Sequence, residues 1–86
     1  MRKGVYMKAF VLINTELGQE AAVVESLKKE KGIRAVHALY GIYDVIAEVE
    51  AESMEKVKEI VFNNVRRLET VKTTITLITY GEPLKR

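Results

Sequence analysis

The sequence has no cysteine, no tryptophan, one proline and one histidine in 86 residues. Without cysteine there are no disulfides and no thiolate metal ligands, and His37 alone does not make a structural zinc site. A domain of this length buries only about two-thirds of the surface that its unfolded chain exposes, so its stability is marginal. Because disulfides and metal sites are excluded, we expect oligomerisation to supply the missing stability.

Long hydrophobic runs and a strong charge imbalance are absent as well. No apolar stretch approaches the roughly 20 residues of a membrane span, and Lys8 interrupts the run that follows the basic residues 1–5, so no signal-peptide core forms. We therefore expect a cytoplasmic protein without a membrane partner. The net charge of +2 is too small to indicate nucleic-acid binding. Charged residues make up 30% of the chain, a composition that suits a thermophile.

The middle of the chain is organised around Gly41. Two β-branched, apolar-leaning runs, 33–39 and 42–50, lie on either side of it, and glycine adopts positive φ without a steric cost. The pattern predicts two antiparallel strands joined by a tight turn. Asp44 lies just inside the second strand among apolar neighbours, where its carboxylate needs a partner. It either accepts backbone N–H groups from the turn or faces a ligand.

Apolar spacing predicts the remaining elements. The apolar run 7–13 and the alternating run 71–80 are typical of strands. Two helices are expected, one over about 17–31 with Gly32 as its C-cap and one from the N-cap Ser53 to about Arg67. Their apolar stripes are Leu17, Ala21, Val24 and Leu27 in the first, and Met54, Val57, Val61 and Val65 in the second.

The order βαββαβ indicates one α+β domain over residues 1–86 with a ferredoxin-like fold. This fold has a four-stranded antiparallel sheet with both helices on one face and the first and third strands in the centre. Ile75 and Leu77 are expected under the helices, which leaves Thr74 and Thr76 on the other face. The first strand is apolar on both faces, so an uncovered apolar surface would remain. A second copy stacked on that surface would cover it, so we expect at least a dimeric α/β sandwich.

No pattern of catalytic residues is present, and we expect no enzyme activity, cofactor or metal site. Ser26 and Ser53 lie on predicted helices without a suitably spaced histidine. Asp44 and Glu48 could form an acid–base pair, but two carboxylates at this spacing are more typical of a solvated strand. RNA-binding sheets of this fold class stack bases on aromatic residues within a basic surface, which is missing here.

Residues 36–49, VHALYGIYDVIAEV, and residues 71–77, VKTTITL, resemble the effector domain of the Lrp/AsnC (leucine-responsive, or feast/famine) transcription regulators. The resemblance covers about residues 7–80, and its most specific element is Gly41-x-Tyr43-Asp44. It departs from full-length members in one respect, since only residues 1–6 precede the first predicted strand. We therefore expect a stand-alone effector domain without a helix-turn-helix and without direct DNA binding.

The resemblance implies dimers that assemble further, often to octamers, with a small effector such as an amino acid bound between dimers. Full-length regulators of the family are possible partners. Carried over to this sequence, the effector-binding residues are Gly41, Tyr43 and Asp44, with Thr74 and Thr76 as further partners and Tyr40 adjacent. Asp44 would pair the ammonium group, and Gly41 would let the carboxylate approach backbone N–H groups.

Two alternatives to the sensing domain remain open from the sequence. The first is a small cofactor-free enzyme, because ferredoxin-like dimers include monooxygenases of that kind. Such an enzyme needs a substrate cavity between sheet and helices, a space that the apolar helix residues are expected to fill. The second is a pure assembly module that no longer binds an effector.

Overall fold

The structure is a computed structural model that describes residues 6–81 and Leu84; the basic residues 1–5 lie outside the described part. Its elements are β1 (Met7–Thr15), α1 (Glu20–Lys28), β2 (Ile33–Ala38), β3 (Val45–Ala51), α2 (Met54–Ile60) with a π-helical turn (Val61–Val65), and β4 (Val71–Ile78). The strands form one antiparallel sheet in the order β2-β3-β1-β4. The ferredoxin-like fold and the central positions of β1 and β3 are confirmed. None of the helices described is long and apolar enough to cross a membrane.

Helix α1 is shorter than the sequence predicted. It begins at Glu20 rather than near Leu17, because Gly18 adopts φ +78° in the preceding turn and interrupts the helical backbone. Leu17 is 99% exposed and contributes nothing to the core. The helix ends at Lys28, so Gly32 is not its C-cap; Gly32 instead lies at φ +88° in the turn before β2.

Helix α2 follows the sequence prediction more closely. Ser53 is its N-cap, and its hydroxyl accepts a hydrogen bond from the Lys56 N–H at 3.1 Å. The last turn widens, and the N–H of Arg66 donates to the carbonyl of Val61 at 2.8 Å, the five-residue spacing of a π-helix. The predicted stripe is buried at Val57, Val61 and Val65.

The core lies between the helices and one face of the sheet. Fully buried residues of the central strands are Ala9, Val11, Ile13, Val45, Ala47 and Val49, and they pack against Val23, Leu27, Val57 and Val65 of the helical layer. In α1, the predicted stripe residue Ala21 is exposed, and Val23 is buried in the core in its place. Both helices cover the same face, as expected.

The predicted orientation of β4 is wrong. Thr74 and Thr76 pair with the buried residues Ile13 and Val11, so they lie on the helix side of the sheet. Ile75 and Leu77 alternate with them and lie on the opposite side. The physical reason is that the helices pack mainly over β1, β2 and β3, so the helix side of the edge strand β4 does not need apolar residues.

The sheet side away from the helices carries an apolar surface, here called the open face: Phe10, Leu12, Ile46, Ile75 and Leu77. Register places Ile46 and Ile75 beside Leu12, and Leu77 beside Phe10. Ile75 and Leu77 are 42% and 50% exposed. A single chain leaves this surface uncovered, as the sequence predicted. The residues that β4 contributes to it are Ile75 and Leu77, where the sequence predicted Thr74 and Thr76.

Candidate functional site

The connection between β2 and β3, residues 39–44, holds four of the six predicted effector-binding residues. The N–H of Leu39 donates to the carbonyl of Asp44 at 2.9 Å and closes the loop. The connection is therefore longer than the predicted tight turn. Gly41 adopts φ +153°, a conformation that L-residues rarely adopt, and a Cβ there would meet no atom within 4 Å. The backbone conformation, and not crowding, requires glycine at this position.

Asp44 connects the start of β3 to the end of β1. Its Oδ2 accepts a hydrogen bond from the N–H of Thr15 at 2.8 Å, and its own N–H donates to the carbonyl of Ile13 at 2.9 Å. The carboxylate thus has a backbone donor, as one of the two interpretations of the sequence required, but the donor belongs to β1 and not to the turn. No second hydrogen bond to this carboxylate occurs within residues 6–81 and 84, so Oδ1 has capacity for a ligand.

The tip of this loop is apolar and exposed. Tyr40 is fully exposed, Ile42 is 86% exposed, and Leu39 is 37% exposed. Tyr43 is half-buried beside Asp44. Three exposed large apolar side chains on six consecutive residues are unfavourable in water and are typical of a contact surface.

Thr74 and Thr76 lie elsewhere, in a groove along β4. The groove consists of two adjoining depressions of about 360 and 470 Å³ that share Arg66 and Thr74. We call it the β4 groove and define it by its lining residues: Lys58, Val61, Phe62, Arg66, Val71, Lys72, Thr73, Thr74, Thr76 and Ile78. The guanidinium carbon of Arg66 lies 6.0 Å from the centroid of the Phe62 ring, within range of a cation–π interaction.

The structure therefore divides the predicted site residues into two groups. Tyr40, Gly41, Tyr43 and Asp44 share the β2–β3 loop, whereas Thr74 and Thr76 belong to an edge strand from which β1 separates them. Tyr40, Gly41, Tyr43 and Asp44 line neither of the two depressions that form the β4 groove. One chain does not assemble all six residues around one ligand.

The sequence analysis missed the cationic and aromatic residues of the groove. Lys58, Phe62 and Arg66 follow one another at a spacing of four, which places them on one face of the α2 segment. That spacing was visible in the sequence. The valine stripe on the adjacent face dominates the pattern of this segment.

The space between helices and sheet is filled by apolar side chains. Val23, Leu27, Val57 and Val65 are at most 1% exposed and belong to one continuous core. The cofactor-free enzymes considered above need a polar substrate cavity in that space. In the described part of the chain, buried apolar side chains occupy that space.

Comparison with known proteins places the chain in a family. The model of the Lrp/AsnC ligand binding domain matches residues 8–86. The chain is also 31% identical over 75 residues to an uncharacterized HTH-type transcriptional regulator of Pyrococcus furiosus. These 86 residues therefore belong to the Lrp/AsnC ligand binding domain family. The match covers 84% of this chain and 50% of the Pyrococcus protein, so the chain spans about half the length of the curated relatives it matches.

Solved structures agree with this assignment. A protein of Thermus thermophilus superposes with a TM-score of 0.85 at 26% identity, and the match covers 92% of this chain and 99% of that protein. A Neisseria meningitidis transcriptional regulator in complex with L-Met superposes with a TM-score of 0.78 at 16% identity, over 92% of this chain and 53% of the regulator. The second likeness shows a shared fold.

Proposed function

We propose that this chain is a sensing and assembly domain that binds a small effector, an amino acid, at an interface between copies of itself. The observation that carries the proposal is the separation of the predicted site residues into the β2–β3 loop and the β4 groove of each chain. A ligand that uses both groups has to lie between two chains. The L-Met complex of the Neisseria regulator, which has the same fold, supports an amino acid as the ligand class.

The open face supports a homodimer as the first level of assembly. Five apolar side chains, from β1, β3 and β4, form one surface that a single chain leaves uncovered. Two such faces packed together would bury these side chains and add a second apolar core to a small domain. The exposed Tyr40 and Ile42 of the loop then remain for contacts between dimers, which would build a higher oligomer such as an octamer.

The chemistry of the shared site follows from the groups on each side. Asp44 offers its second carboxylate oxygen to an ammonium group, since its first oxygen already binds the N–H of Thr15. Gly41 itself has no Cβ that would keep a carboxylate from the backbone N–H groups of the loop. The hydroxyls of Thr74 and Thr76 on the neighbouring chain can donate or accept hydrogen bonds.

We further propose that the domain acts without catalysis, in the cytoplasm, on the transcription of amino-acid metabolism. The curated relatives are HTH-type regulators, which makes full-length members of the family plausible partners. The six described elements form one sheet with two helices and contain no helix-turn-helix. We therefore expect the 86-residue chain to bind DNA without sequence preference, if at all, and to lose that binding at moderate salt.

Thermal-shift screening against the twenty amino acids tests the effector. A true effector at about 100 times its dissociation constant stabilises the folded chain by roughly 2.7 kcal/mol, a shift that is readily measured. The matched control is Asp44→Asn, which keeps an acceptor oxygen for Thr15 but removes the charge that pairs the ammonium group. A screen without any stabilising amino acid would favour the pure assembly module instead.

A further inference from the structure

We propose that the β4 groove binds the carboxylate of an organic acid with an apolar body, and that this binding needs no ammonium group on the ligand. The proposal rests on the proposed function in one respect, because Thr74 and Thr76 are shared by both. It adds a ligand class and four residues that the effector hypothesis does not use: Lys58, Phe62, Arg66 and Lys72.

The β4 groove is lined by positive charge. Lys58, Arg66 and Lys72 all line the groove, and no acidic side chain among the described residues lines it. None of the three cations forms an ion pair with a described residue, whereas Lys8, Lys28, Arg34 and Lys56 each pair with a glutamate. Three uncompensated cations on one groove create a local positive potential that favours an anion.

Two threonine hydroxyls in the groove have no hydrogen-bond partner among the described residues. Thr74 and Thr76 are half-buried, and their side chains make no hydrogen bond to the described residues. The neighbouring Thr73, by contrast, accepts a hydrogen bond from the side-chain amide of Asn14 at 3.3 Å. Both hydroxyls lie on the helix side of the sheet, beside the fully buried Val11 and Ile13, in the part of that side which the helices leave uncovered. A bound anion would give them an acceptor.

The two depressions of the groove differ in polarity. The smaller depression is mostly polar, since four of its five lining residues are Arg66, Lys72, Thr73 and Thr74 and only Val71 is apolar. The larger depression also contains the apolar residues Val61, Phe62 and Ile78. Arg66 belongs to both, and its planar guanidinium suits bidentate binding of a carboxylate. A ligand with its carboxylate at Arg66 would lay its apolar body against Phe62, which is 66% exposed.

These three features define the ligand class. The groove offers cations, hydroxyls and an aromatic ring but no carboxylate from the described residues, so an ammonium group would meet three cations and no anionic partner there. Within one chain the recognised unit is therefore a monocarboxylate with an aromatic or aliphatic tail. Recognition of an α-ammonium group would require Asp44 from a neighbouring chain, as the proposed function states.

Three probes with the same phenylethyl body separate these contributions: 3-phenylpropionate, L-phenylalanine and phenethylamine. They carry the carboxylate alone, both charged groups, and the ammonium group alone. Titration of the full chain at low ionic strength, followed by amide chemical shifts, should show that 3-phenylpropionate binds and shifts the amides of Thr74 and Thr76. Phenethylamine should leave these amides unchanged.

Two glutamine variants provide the matched test of the cation. Arg66→Gln should weaken 3-phenylpropionate binding by about fivefold, the scale expected for a partly exposed ion pair. Arg67→Gln removes the same charge from the next residue, which does not line the groove, and should leave binding unchanged. Lys72→Gln gives a second test if Arg66→Gln lowers the unfolding midpoint. Equal losses in Arg66→Gln and Arg67→Gln, or equal binding of phenethylamine, would overturn the proposal.

The same measurements separate this inference from the proposed function. If amino acids bind in an Asp44-dependent manner and 3-phenylpropionate does not bind, the groove proposal fails and the sensing role stands. If 3-phenylpropionate binds through Arg66 and no amino acid binds, the groove proposal stands and the amino-acid effector is wrong. Binding of both ligands, with only L-phenylalanine weakened by Asp44→Asn, would support both proposals.

Discussion

The carboxylate of Asp44, directly before β3, accepts a hydrogen bond at 2.8 Å from the backbone N–H of Thr15, the last residue of β1. Thr15 is itself buried, and its hydroxyl donates to the carbonyl of Glu16. Asp44, the residue proposed to bind the ammonium group of an effector, therefore also makes a structural hydrogen bond within the chain. A ligand that displaces the Asp44 carboxylate would also disturb its hydrogen bond to Thr15 at the end of β1.

Asp44→Ala should lower stability without any ligand present. The substitution leaves the partly buried Thr15 N–H without its acceptor, which costs about 1–3 kcal/mol. Asp44→Asn keeps an acceptor oxygen at the same place and should cost clearly less. Urea denaturation of the three proteins measures the free energy of unfolding. Equal stability of Asp44→Ala and the parent chain would mean that the Thr15 contact contributes nothing, leaving the carboxylate wholly to a ligand.

The order of the elements along the chain, the two central strands and α2 could be predicted because they follow from local sequence patterns. Ser53 accepts the Lys56 N–H as an N-cap should, and Val57, Val61 and Val65 are buried at the predicted spacing. The start of α1 could not be predicted from its stripe. Leu17 fits the helical period, but Gly18 adopts φ +78° and separates it from the helix.

The orientation of β4 could not be predicted because it depends on where the helices lie over the sheet. Its alternation of threonine with Ile75 and Leu77 fixes two faces but does not say which one meets the core. The sequence pattern predicts the apolar set under the helices, whereas in the structure it lies on the open face. The same placement of the helices opens the groove at Arg66, which no local pattern in β4 could have indicated.

Leu77→Lys should dissociate the chain toward monomers. Leu77 lies on the open face beside Phe10 and is 50% exposed in a single chain. A lysine there would bury an unpaired charge in a dimer of stacked sheets, so its dissociation constant should rise at least about tenfold. Sedimentation equilibrium gives the mass, with 9.8 kDa expected for one chain. Leu17→Lys, at a position 99% exposed, is the control and should sediment as the parent does. A parent chain already monomeric at micromolar concentration would contradict the dimer.

Gly32→Ala should destabilise the chain more than Gly18→Ala. Both glycines have positive φ, +88° and +78°, so alanine costs about 1–2 kcal/mol at either place. At Gly32 the new Cβ would also lie 2.6 Å from Cδ1 of Ile60, the far end of a flexible side chain, so Ile60 has to shift at a small extra cost, whereas at Gly18 the Cβ meets nothing within 4 Å. Since Ile60→Val removes that atom, the two glycine substitutions should cost the same in an Ile60→Val background. A difference that persists there would show that the clash with Ile60 is not its cause.

Tyr40→Ala and Ile42→Ala should change assembly and leave the folded chain intact. Both side chains point into water in a single chain, at 108% and 86% exposure, so truncation should alter the free energy of unfolding by no more than about 0.5 kcal/mol. If the loop tip contacts a neighbouring dimer, the same truncations remove apolar contact area from that interface, and the largest species should shrink to the dimer. Light scattering after gel filtration measures the mass, and urea denaturation checks the fold. Met54→Ala is the control, because Met54 is an exposed apolar residue on α2, away from the loop. An unchanged mass in both loop variants would exclude the tip from the assembly interface, and the exposed tyrosine would then need another explanation.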